Sequence, residues 1–460
     1  MIGLTNLDRR SLLRTAGLAG VSLLGCRHGS APERPNVLLV MTDQQTDEAM
    51  SCTGNPHVST PAMDRIAARG VRFTRSYVTQ PLCLPCRSSI QTGRYPHEIG
   101  TPTNSVKLNG EYPMLGKLMQ AGGYDTAYFG KWHVGTSFEA AGYSSAAEET
   151  RSDSAAADKA IEYLQTPRDK PFFLTVSVRN PHDVCQLARG QDLPQGPIPQ
   201  LPDDAAQLPR LPANFAIPEN EPAAIRMSQE RNRDFHYPTG NWTALEWRQY
   251  LWGYYRLVEK ADREIGRVLD ALHDSGHEDN TVIIFTSDHG EGVASHHWNQ
   301  KQVLYEQAVR VPLLIADPQA SNPGSTSNAL VSTGIDLMPT ILDAAGLPGA
   351  PGPAHGRSLH PLARGAALTW DRPYVIAETT FARGRNGGVS GRMARTERYK
   401  YVVYDTGSRR EQLFDLEADP GEINTLVAAA EYQSELNRHR KILLEWAART
   451  DDQFPLVQPP

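Results

Sequence analysis

Two short polar runs in this sequence have the composition of a cation-binding site. Asp43 and Gln44 are adjacent in one run, and Asp288 and His289 are adjacent in the other. Two carboxylates, an amide oxygen and an imidazole form a mostly hard ligand set, which suits Ca²⁺, Mg²⁺ or Mn²⁺. Taken singly, either aspartate could instead cap a helix. The two runs therefore predict a divalent-cation site if the fold brings them together.

Four further residues have side chains that can move protons or hold an anion. Lys131 and His133 belong to one segment (GKWH), His182 lies in a second (NPHD), and Lys301 lies in a third. Imidazoles act as general acids and bases near neutral pH, and ammonium groups stabilise negative charge in a transition state. Each could equally be an ordinary surface or loop residue, so its interpretation depends on its place in the fold.

The stretch 83–93 (CLPCRSSIQTG) allows two kinds of chemistry. Cys83 and Cys86 form a C-x-x-C pair with a proline between them, which could be a redox dithiol. The same stretch predicts a helix that begins near 85–87, with Arg87 on its first turn. The free N–H groups and partial positive charge of a helix N-terminus would favour an anion beside Cys83.

Buried parallel strands are predicted where continuous apolar runs occur, at 36–41, 126–129, 172–178 and 281–286. One of the polar groups described above follows each run. Ligands bind outside the carboxyl ends of strands in open α/β sheets, so these groups should meet at one edge. A long helix at about 244–274 lies between the last two strands. Alternating strands and helices imply a parallel sheet covered on both faces.

The run C-L-P-C-R at 83–87, followed by Thr92 and Gly93, resembles the hallmark motif of the sulfatase family. The segments 123–133 and 288–312 resemble two further motifs of that family. The resemblance extends from about residue 34 to about residue 426, and this context disfavours the redox interpretation of the two cysteines.

The resemblance implies an α/β fold of the alkaline-phosphatase-like type. Its large domain, at 34–346, has a mostly parallel central sheet flanked by helices. Short strands and a final helix beyond residue 374 predict a small antiparallel sheet with one helix, in a C-terminal subdomain at 370–460.

The resemblance also implies that a maturation enzyme converts Cys83 to formylglycine, an aldehyde that hydrates to a geminal diol. In the implied reaction the diol attacks the sulfur of a sulfate ester beside one divalent cation, and the aldehyde returns when sulfate leaves. Ca²⁺ is the family expectation. The implied metal ligands are Asp43, Gln44, Cys83, Asp288 and His289.

Each implied catalytic residue has a role in that reaction, beginning with Cys83 as the nucleophile. Arg87 holds the diol and the metal-bound carboxylates in place. Lys131 and Lys301 neutralise the sulfuryl oxygens. His182, together with Lys301, protonates the leaving oxygen. His133 removes the proton of the second hydroxyl.

The sequence departs from the family pattern at the metal site and leaves rival functions open. Gln44 stands where many relatives have a second aspartate, and His289 stands where asparagine is frequent. Both changes reduce negative charge and make Mn²⁺ or Mg²⁺ more plausible. A sulfamidase, or a phosphonate monoester or phosphodiester hydrolase, would share the fold and nucleophile. An inactive glycan-binding lipoprotein, with Cys83 left as a thiol, is a rival from another class.

A sulfated saccharide is the expected substrate, although a sulfated small molecule is also compatible with the motifs. The run His-His-Trp-Asn at 296–299 could stack on a sugar, or its tryptophan could anchor a loop. The proline-rich stretch 186–222 cannot form a regular helix, and we expect a surface excursion at the substrate rim. The formal net charge of the 460-residue chain is −6, which leaves no basic excess for binding nucleic acid.

Residues 1–26 resemble an export signal. Arg9 and Arg10 precede a short apolar stretch, as in a twin-arginine signal, and a lipobox-like sequence ends at Cys26. The expected product is a periplasmic or cell-surface lipoprotein that touches the membrane only through a lipid on Cys26.

Overall fold

The computed structural model describes residues 34–149, 152–231, 236–352, 355–366, 369–381 and 388–459. The predicted export signal at 1–26, including Cys26, lies outside these residues. Within them, none of the helices combines the length and apolar character that crossing a bilayer would need.

Eight strands form the central sheet, in the order β4-β3-β5-β1-β6-β7-β2-β8. All neighbouring strands are parallel except β7, which is antiparallel to both β6 and β2. The predicted mostly parallel sheet is thus confirmed. The strands are β1 (Asn36–Asp43), β2 (Val71–Tyr77), β3 (Asp125–Gly130), β4 (Ser145–Ala147), β5 (Phe172–Pro181), β6 (Thr281–Ser287), β7 (Leu313–Ala316) and β8 (Ser325–Ser332).

Helices cover both faces of this sheet. The helices are α1 (Pro61–Arg69), α2 (Cys83–Thr92), α3 (Leu115–Ala121), α4 (Phe138–Ala141), α5 (Asp153–Gln165), α6 (Val184–Leu187), α7 (Ala223–Arg231), α8 (Ala244–Asp274), α9 (Glu306–Val309), α10 (Thr333–Ala344), α11 (His360–Ala363) and α12 (Gln433–Thr450). Helix α8 has the bounds predicted for it, and a capping box between Thr243 and Glu246 fixes its start.

The central strand β1 explains why its sequence is continuously apolar. Val37 and Leu39 point into the core shared with α2, α3 and α10, whereas Leu38 and Val40 point into the core shared with α1, α5 and α8. Successive side chains of a strand face opposite sides, so a strand covered on both faces has no polar alternation. Strand β1 therefore holds its carboxyl end rigidly at the middle of the sheet.

A second sheet has four antiparallel strands in the order β12-β11-β10-β9. The strands are β9 (Val375–Thr380), β10 (Ser390–Arg395), β11 (Tyr399–Tyr404) and β12 (Glu411–Asp415). Helix α12 packs on this sheet through Leu443 and Trp446, which share a core with Ile376 and Tyr401. A small antiparallel sheet with one helix was predicted here. The domain boundaries at 34–346 and 370–460 stay predictions.

The proline-rich stretch is irregular, as its composition predicts. Beyond α6, a short 3₁₀ turn at Ala205–Gln207 is its one regular element among the described residues. The stretch braces a loop that follows β6, because the carbonyl oxygens of Asn214 and Phe215 accept the backbone N–H groups of His296 (2.7 Å) and His297 (3.0 Å).

Candidate active site

The carboxyl ends of the central strands bring the sequence-predicted residues together. Asp43 ends β1 and Asp288 follows β6, and the Asp288 N–H donates to the Thr42 carbonyl across the two strands (3.2 Å). Lys131 follows β3 and is fixed by its own N–H, which donates to the carbonyl of Ser177 on β5 (2.9 Å). Parallel neighbouring strands end at the same edge, which is why these residues meet.

Residue 83 enters this edge as the first residue of α2. Leu82, in an extended conformation, precedes the helix, and its carbonyl accepts the Cys86 N–H (3.1 Å). The sequence-based prediction placed the helix start two residues later, near 85–87. Pro85 is tolerated inside the first turn because the N–H groups of that turn have no partner within the helix. The early start carries the Cys83 side chain to the carboxyl end of β1.

Four side chains form a compact group that has the composition of a divalent-cation site. Candidate ligand atoms of Asp43, Cys83, Asp288 and His289 all lie within 4.8 Å of one another, and all four residues are buried. The His289 Nε2 lies 3.2 Å from the Cys83 Sγ and 3.5 Å from the Asp288 Oδ1. The His289 Nδ1 lies 2.9 Å from the Gly290 carbonyl oxygen, a contact that fixes the ring with Nε2 facing the group.

The two aspartates divide their oxygens between this group and its surroundings. The Asp43 Oδ2 accepts from Lys131 and from Arg87, and the Asp288 Oδ2 accepts from the Arg87 Nε (2.7 Å). Both Oδ1 atoms face His289, at 3.8 Å for Asp43 and 3.5 Å for Asp288. The positively charged side chains of Lys131 and Arg87 therefore bond the Oδ2 atoms. The Oδ1 atoms face the group as hard ligands, so the residues fit a divalent ion.

Arg87 is the rigid centre of this arrangement, with 1% of its surface exposed. Its Nη1 donates to the Lys131 carbonyl (2.7 Å) and to the Ser177 Oγ (2.8 Å), while its Nη2 reaches Asp43 (3.2 Å). The planar guanidinium thereby spans α2, β1 and β5. Ser177 was not identified from the sequence. The feature of the sequence that could have indicated it is a polar serine within the mostly apolar strand β5.

The side chain of residue 83 is surrounded by positively charged and imidazole groups. The Lys301 ammonium donates to the Cys83 Sγ (3.3 Å), the His289 Nε2 lies 3.2 Å from it, and His133 and His182 influence its charge electrostatically. Burial raises the pKa of the Cys83 thiol, but Lys131 and Lys301 outweigh burial and hold that pKa well below its usual value. This position stabilises an anion, whichever atom carries the charge.

His182 is neutral at physiological pH in this environment. Burial, reinforced by the positive charges of Lys301 and Lys131, lowers the pKa of His182 to about 3. An anion bound between the two lysines would offset their charge and raise that pKa. The Nδ1 atoms of His133 and His182 are buried and have no partner among the described residues, so both rings can accept further contacts.

Gln44 is fully buried, and its side chain faces Lys301. The Gln44 Oε1 accepts from the Lys301 Nζ (2.8 Å), and the Gln44 Nε2 donates to Glu291 (2.6 Å) and Gln300 (3.1 Å). The backbone N–H of Gln44 donates to the Asp288 Oδ1 (3.2 Å). Sequence reasoning missed Glu291, which stands two residues after His289 in the run S-D-H-G-E.

The prediction that Trp298 could stack on a sugar is wrong. Its side chain is buried, with 2% of its surface exposed, and its Nε1 donates to the Lys301 carbonyl (3.3 Å). Gly292 lies against the ring, where an added Cβ would come within 2.6 Å of the Trp298 Cδ1. The tryptophan therefore anchors the loop that carries Lys301, which is the alternative interpretation of this run.

Cys86 has no part in the group around residue 83. Its thiol is buried in the hydrophobic core, and burial raises its pKa well above the usual value. Cys83 and Cys86 are both free cysteines. An inert, protonated thiol at 86 does not suit a redox pair.

Comparison with known proteins assigns this arrangement to a family. The profile of the family described as sulfatase matches residues 35–347, and that of the C-terminal region of N-sulphoglucosamine sulphohydrolase matches residues 294–448. The chain is 29% identical to the Delta 4,5-hexuronate-2-O-sulfatase of Bacteroides thetaiotaomicron, over 95% of this chain and 93% of that protein.

Solved structures agree with this assignment. A 2-O GAG sulfatase superimposes with a TM-score of 0.82 at 28% identity, covering 93% of this chain and 96% of that one. A protein solved in complex with its substrate D-glucosamine-2-N,6-O-disulfate gives a TM-score of 0.78 at 26% identity, covering 92% and 99%. The phosphonate monoester hydrolase of Agrobacterium radiobacter, at 23% identity and a TM-score of 0.75 over 92% and 97%, shares the fold.

The chain belongs to the sulfatase family and is a sulfuric ester hydrolase. The fold is the α/β arrangement that the resemblance implied, and its structural neighbours include sulfatases and a phosphonate monoester hydrolase. The metal-ligand and catalytic roles of the individual residues stay predictions that substitution can test.

Proposed function

We propose that this protein hydrolyses a sulfate ester on a glycosaminoglycan-type saccharide, with formylglycine at position 83 and one divalent cation beside it. The observation that carries the proposal is the surroundings of the Cys83 side chain. Its Sγ marks where the reactive oxygens of formylglycine would lie, bonded by Lys301 (3.3 Å) and close to His289 (3.2 Å) and Asp43 (3.8 Å). Such a site stabilises an anionic nucleophile and an anionic sulfuryl group.

Asp43, Asp288 and His289 would hold the divalent cation together with residue 83. The cation would supply a Lewis acid that polarises sulfuryl oxygens, and formylglycine would supply a nucleophile with a second hydroxyl. The amide oxygen of Gln44 faces Lys301, so its place in the ligand set is the least supported of the five. Ca²⁺, Mn²⁺ and Mg²⁺ all suit a set of hard oxygens with one imidazole.

The protein's own side chains would carry the charge and the protons. The Lys131 ammonium is held by Asp43, and the Lys301 ammonium is held by Gln44. Both ammonium groups would neutralise the sulfuryl oxygens as negative charge develops on them. His182, neutral in the free site, would gain a proton when the sulfate anion enters and would donate it to the leaving oxygen. His133 would accept the proton of the second hydroxyl.

A carbohydrate substrate is supported by what the relatives act on. One relative is a hexuronate 2-O-sulfatase, and one structural neighbour holds a disulfated glucosamine. These two sugars differ in ring and sulfate position, so the similarity supports the class of substrate and leaves the sugar to experiment.

The decisive experiment measures turnover of the protein co-expressed with a formylglycine-generating enzyme. The panel contains a 2-O-sulfated unsaturated uronate, a 6-O-sulfated glucosamine, an aryl sulfate and an aryl phosphonate. We expect a sulfated sugar to be turned over with the highest kcat/KM. Faster hydrolysis of the phosphonate than of any sulfate would replace the proposal by a phosphonate hydrolase. Binding of a sulfated sugar with no turnover would indicate a glycan-binding lipoprotein.

A cysteine substitution series links that turnover to residue 83. Cys83→Ala should abolish turnover, whereas Cys52→Ala should leave it unchanged, because Cys52 is a half-buried free cysteine outside the group around residue 83. Circular dichroism and melting curves establish that both variants fold. Wild-type rates in Cys83→Ala would refute the nucleophile.

We also propose that residues 1–26 direct export and that Cys26 carries a lipid. The twin arginine Arg9-Arg10 and the lipobox-like end of the segment support this. Metabolic labelling with a fatty acid should mark the wild type and not Cys26→Ala. Equal labelling of both, or none of either, would contradict the lipid anchor.

A further inference from the structure

Glu291 is a buried carboxylate that bonds the side chain of Gln44, which in turn bonds Lys301 beside residue 83. It has no exposed surface. Its Oε1 accepts from the Tyr250 hydroxyl (2.6 Å) and from the backbone N–H of Gln300 (2.6 Å), and its Oε2 accepts from the Gln44 Nε2 (2.6 Å). The Gln300 N–H can only donate, so this end of Glu291 must be an acceptor.

The amide of Gln44 lies between this carboxylate and a cation. One end of the amide contacts Glu291 and the other contacts Lys301 (2.8 Å). Only one orientation satisfies both neighbours, with the NH₂ group on the carboxylate and the oxygen on the ammonium. The reversed amide would place two donors together at Lys301.

Lys301 connects this orientation to the chemistry. Its Nζ lies 2.8 Å from the Gln44 Oε1 and 3.3 Å from the Cys83 Sγ, and it is 8% exposed. An ammonium held at two points has a fixed direction, whereas one that loses its acceptor must turn or carry an unsatisfied donor.

We propose that Glu291 is a positioning residue which, clamped by Tyr250, orients the Gln44 amide so that its oxygen holds Lys301 against residue 83. This inference rests on the proposed function wherever it is tested by enzyme activity. The orientation of the Gln44 amide depends only on the folded chain and can be tested without activity. Glu291 touches neither substrate nor the reacting atoms.

The variant Glu291→Gln tests the orientation with little change of shape. The Gln300 N–H can only donate and requires the new amide to place its oxygen toward it, and the Tyr250 hydroxyl can donate to the same oxygen, so the new NH₂ group must face Gln44. Either Gln44 reverses and turns its own NH₂ toward Lys301, or two NH₂ groups face each other. A buried donor without an acceptor typically disfavours the arrangement that contains it by a factor of about ten or more. Because Lys301 is then held correctly in correspondingly fewer molecules, we expect kcat/KM to fall at least about tenfold.

A second substitution should rescue that loss. In the Glu291→Gln background, Gln44→Glu places a carboxylate between the new NH₂ group and Lys301, and both can donate to it. The Gln300 Nε2, which has no partner among the described residues, could also turn toward that carboxylate. Gln44→Glu alone would instead set two carboxylates against each other. We therefore expect the double variant to exceed both single variants in kcat/KM and in melting temperature.

Glu306→Gln is the matched control for replacing a buried glutamate. Glu306 is 6% exposed and bonds Lys400 (3.1 Å) and Tyr77 (2.9 Å), outside the group that Asp43, Cys83, Asp288 and His289 form. It should lower the melting temperature without changing kcat, and Gln44→Glu should not restore it. All assays use mature enzyme at saturating divalent cation, so an inactive wild type would refute the proposed function while the melting-temperature cycle still tests the orientation.

Two results would overturn the positioning role. One is Glu291→Gln with wild-type kcat/KM. The other is a double variant whose losses of activity and melting temperature simply add, which would mean that Glu291 stabilises the fold without orienting Gln44. Tyr250→Phe provides a milder test, because it removes one clamp and should lower kcat/KM less than Glu291→Gln does.

Discussion

Replacing Arg87 by lysine should separate the geometry of the site from its charge. Arg87 makes four short bonds, to Asp288 (2.7 Å), Asp43 (3.2 Å), the Lys131 carbonyl (2.7 Å) and Ser177 (2.8 Å). A lysine keeps the positive charge, but its three donors share one nitrogen. That nitrogen cannot reach the two aspartates and also the Lys131 carbonyl and Ser177. At least two bonds are lost.

The magnitude follows from those lost bonds. Hydrogen bonds that involve a charged group contribute about 1.5–3 kcal/mol each, and the new ammonium recovers part of this. We therefore expect Arg87→Lys to lower the free energy of unfolding by about 3 kcal/mol. Because the two aspartates lose their alignment, affinity for the divalent cation should fall about 10–100-fold, as for other residues that support metal ligands.

The assay compares denaturant unfolding, calorimetric titration of Ca²⁺ and kcat/KM for the same preparations. Arg392→Lys is the matched control, because Arg392 is also buried and bonds Asp452 (2.7 and 2.9 Å) and Gly391 (2.9 Å) in the small sheet. The control should lose stability and keep its cation affinity and turnover. Arg87→Lys with the cation affinity and turnover of the control would refute the view that this guanidinium shapes the metal site.

Three further outcomes follow from the same structure. His182→Gln should slow hydrolysis of sulfated sugars far more than hydrolysis of an aryl sulfate, because a good leaving group needs no proton; equal losses for both substrates would remove His182 as the acid. Chelation of divalent cations should abolish turnover and lower the melting temperature. A cation added back at a hundred times its dissociation constant should restore about 2.7 kcal/mol of free energy of unfolding. An enzyme that keeps its turnover and its melting temperature after chelation would need no metal. Burial raises the pKa of Asp47 from 3.8 to about 6, so its folded carboxyl binds a proton more tightly than the unfolded one, and stability falls as pH rises from about 4 to 6. Asp47→Asn should therefore gain up to about 3 kcal/mol over the wild type at pH 8 and almost nothing at pH 4 in denaturant titrations, and a constant difference across pH would contradict that pKa.

The sequence was sufficient for the centre of the fold because the central strands are buried on both faces. The apolar run at 36–41 predicts β1 to within two residues, and the helical spacing at 244–274 matches α8. Strand β2 was missed. Arg72 and Arg75 interrupt its apolar pattern, and it is a strand because β7 and β8 pair with it from distant parts of the chain.

The site was predictable to the extent that its residues follow strands. Asp43, Lys131 and Asp288 were placed by the rule that parallel strands end at one edge. The surroundings of Gln44 were not predictable, because Glu291 and Gln300 lie about 250 residues away in sequence. The burial of Trp298 was equally hidden, since a tryptophan in a polar run fits a sugar platform and a loop anchor alike.

The most direct test of the central claim combines the mass of the peptide that contains residue 83 with turnover of a sulfated sugar. Preparations with different degrees of maturation should show kcat rising in proportion to the fraction of peptide that has the mass of the aldehyde and its hydrate. Full turnover in a preparation whose peptide retains an intact Cys83 thiol would contradict the account.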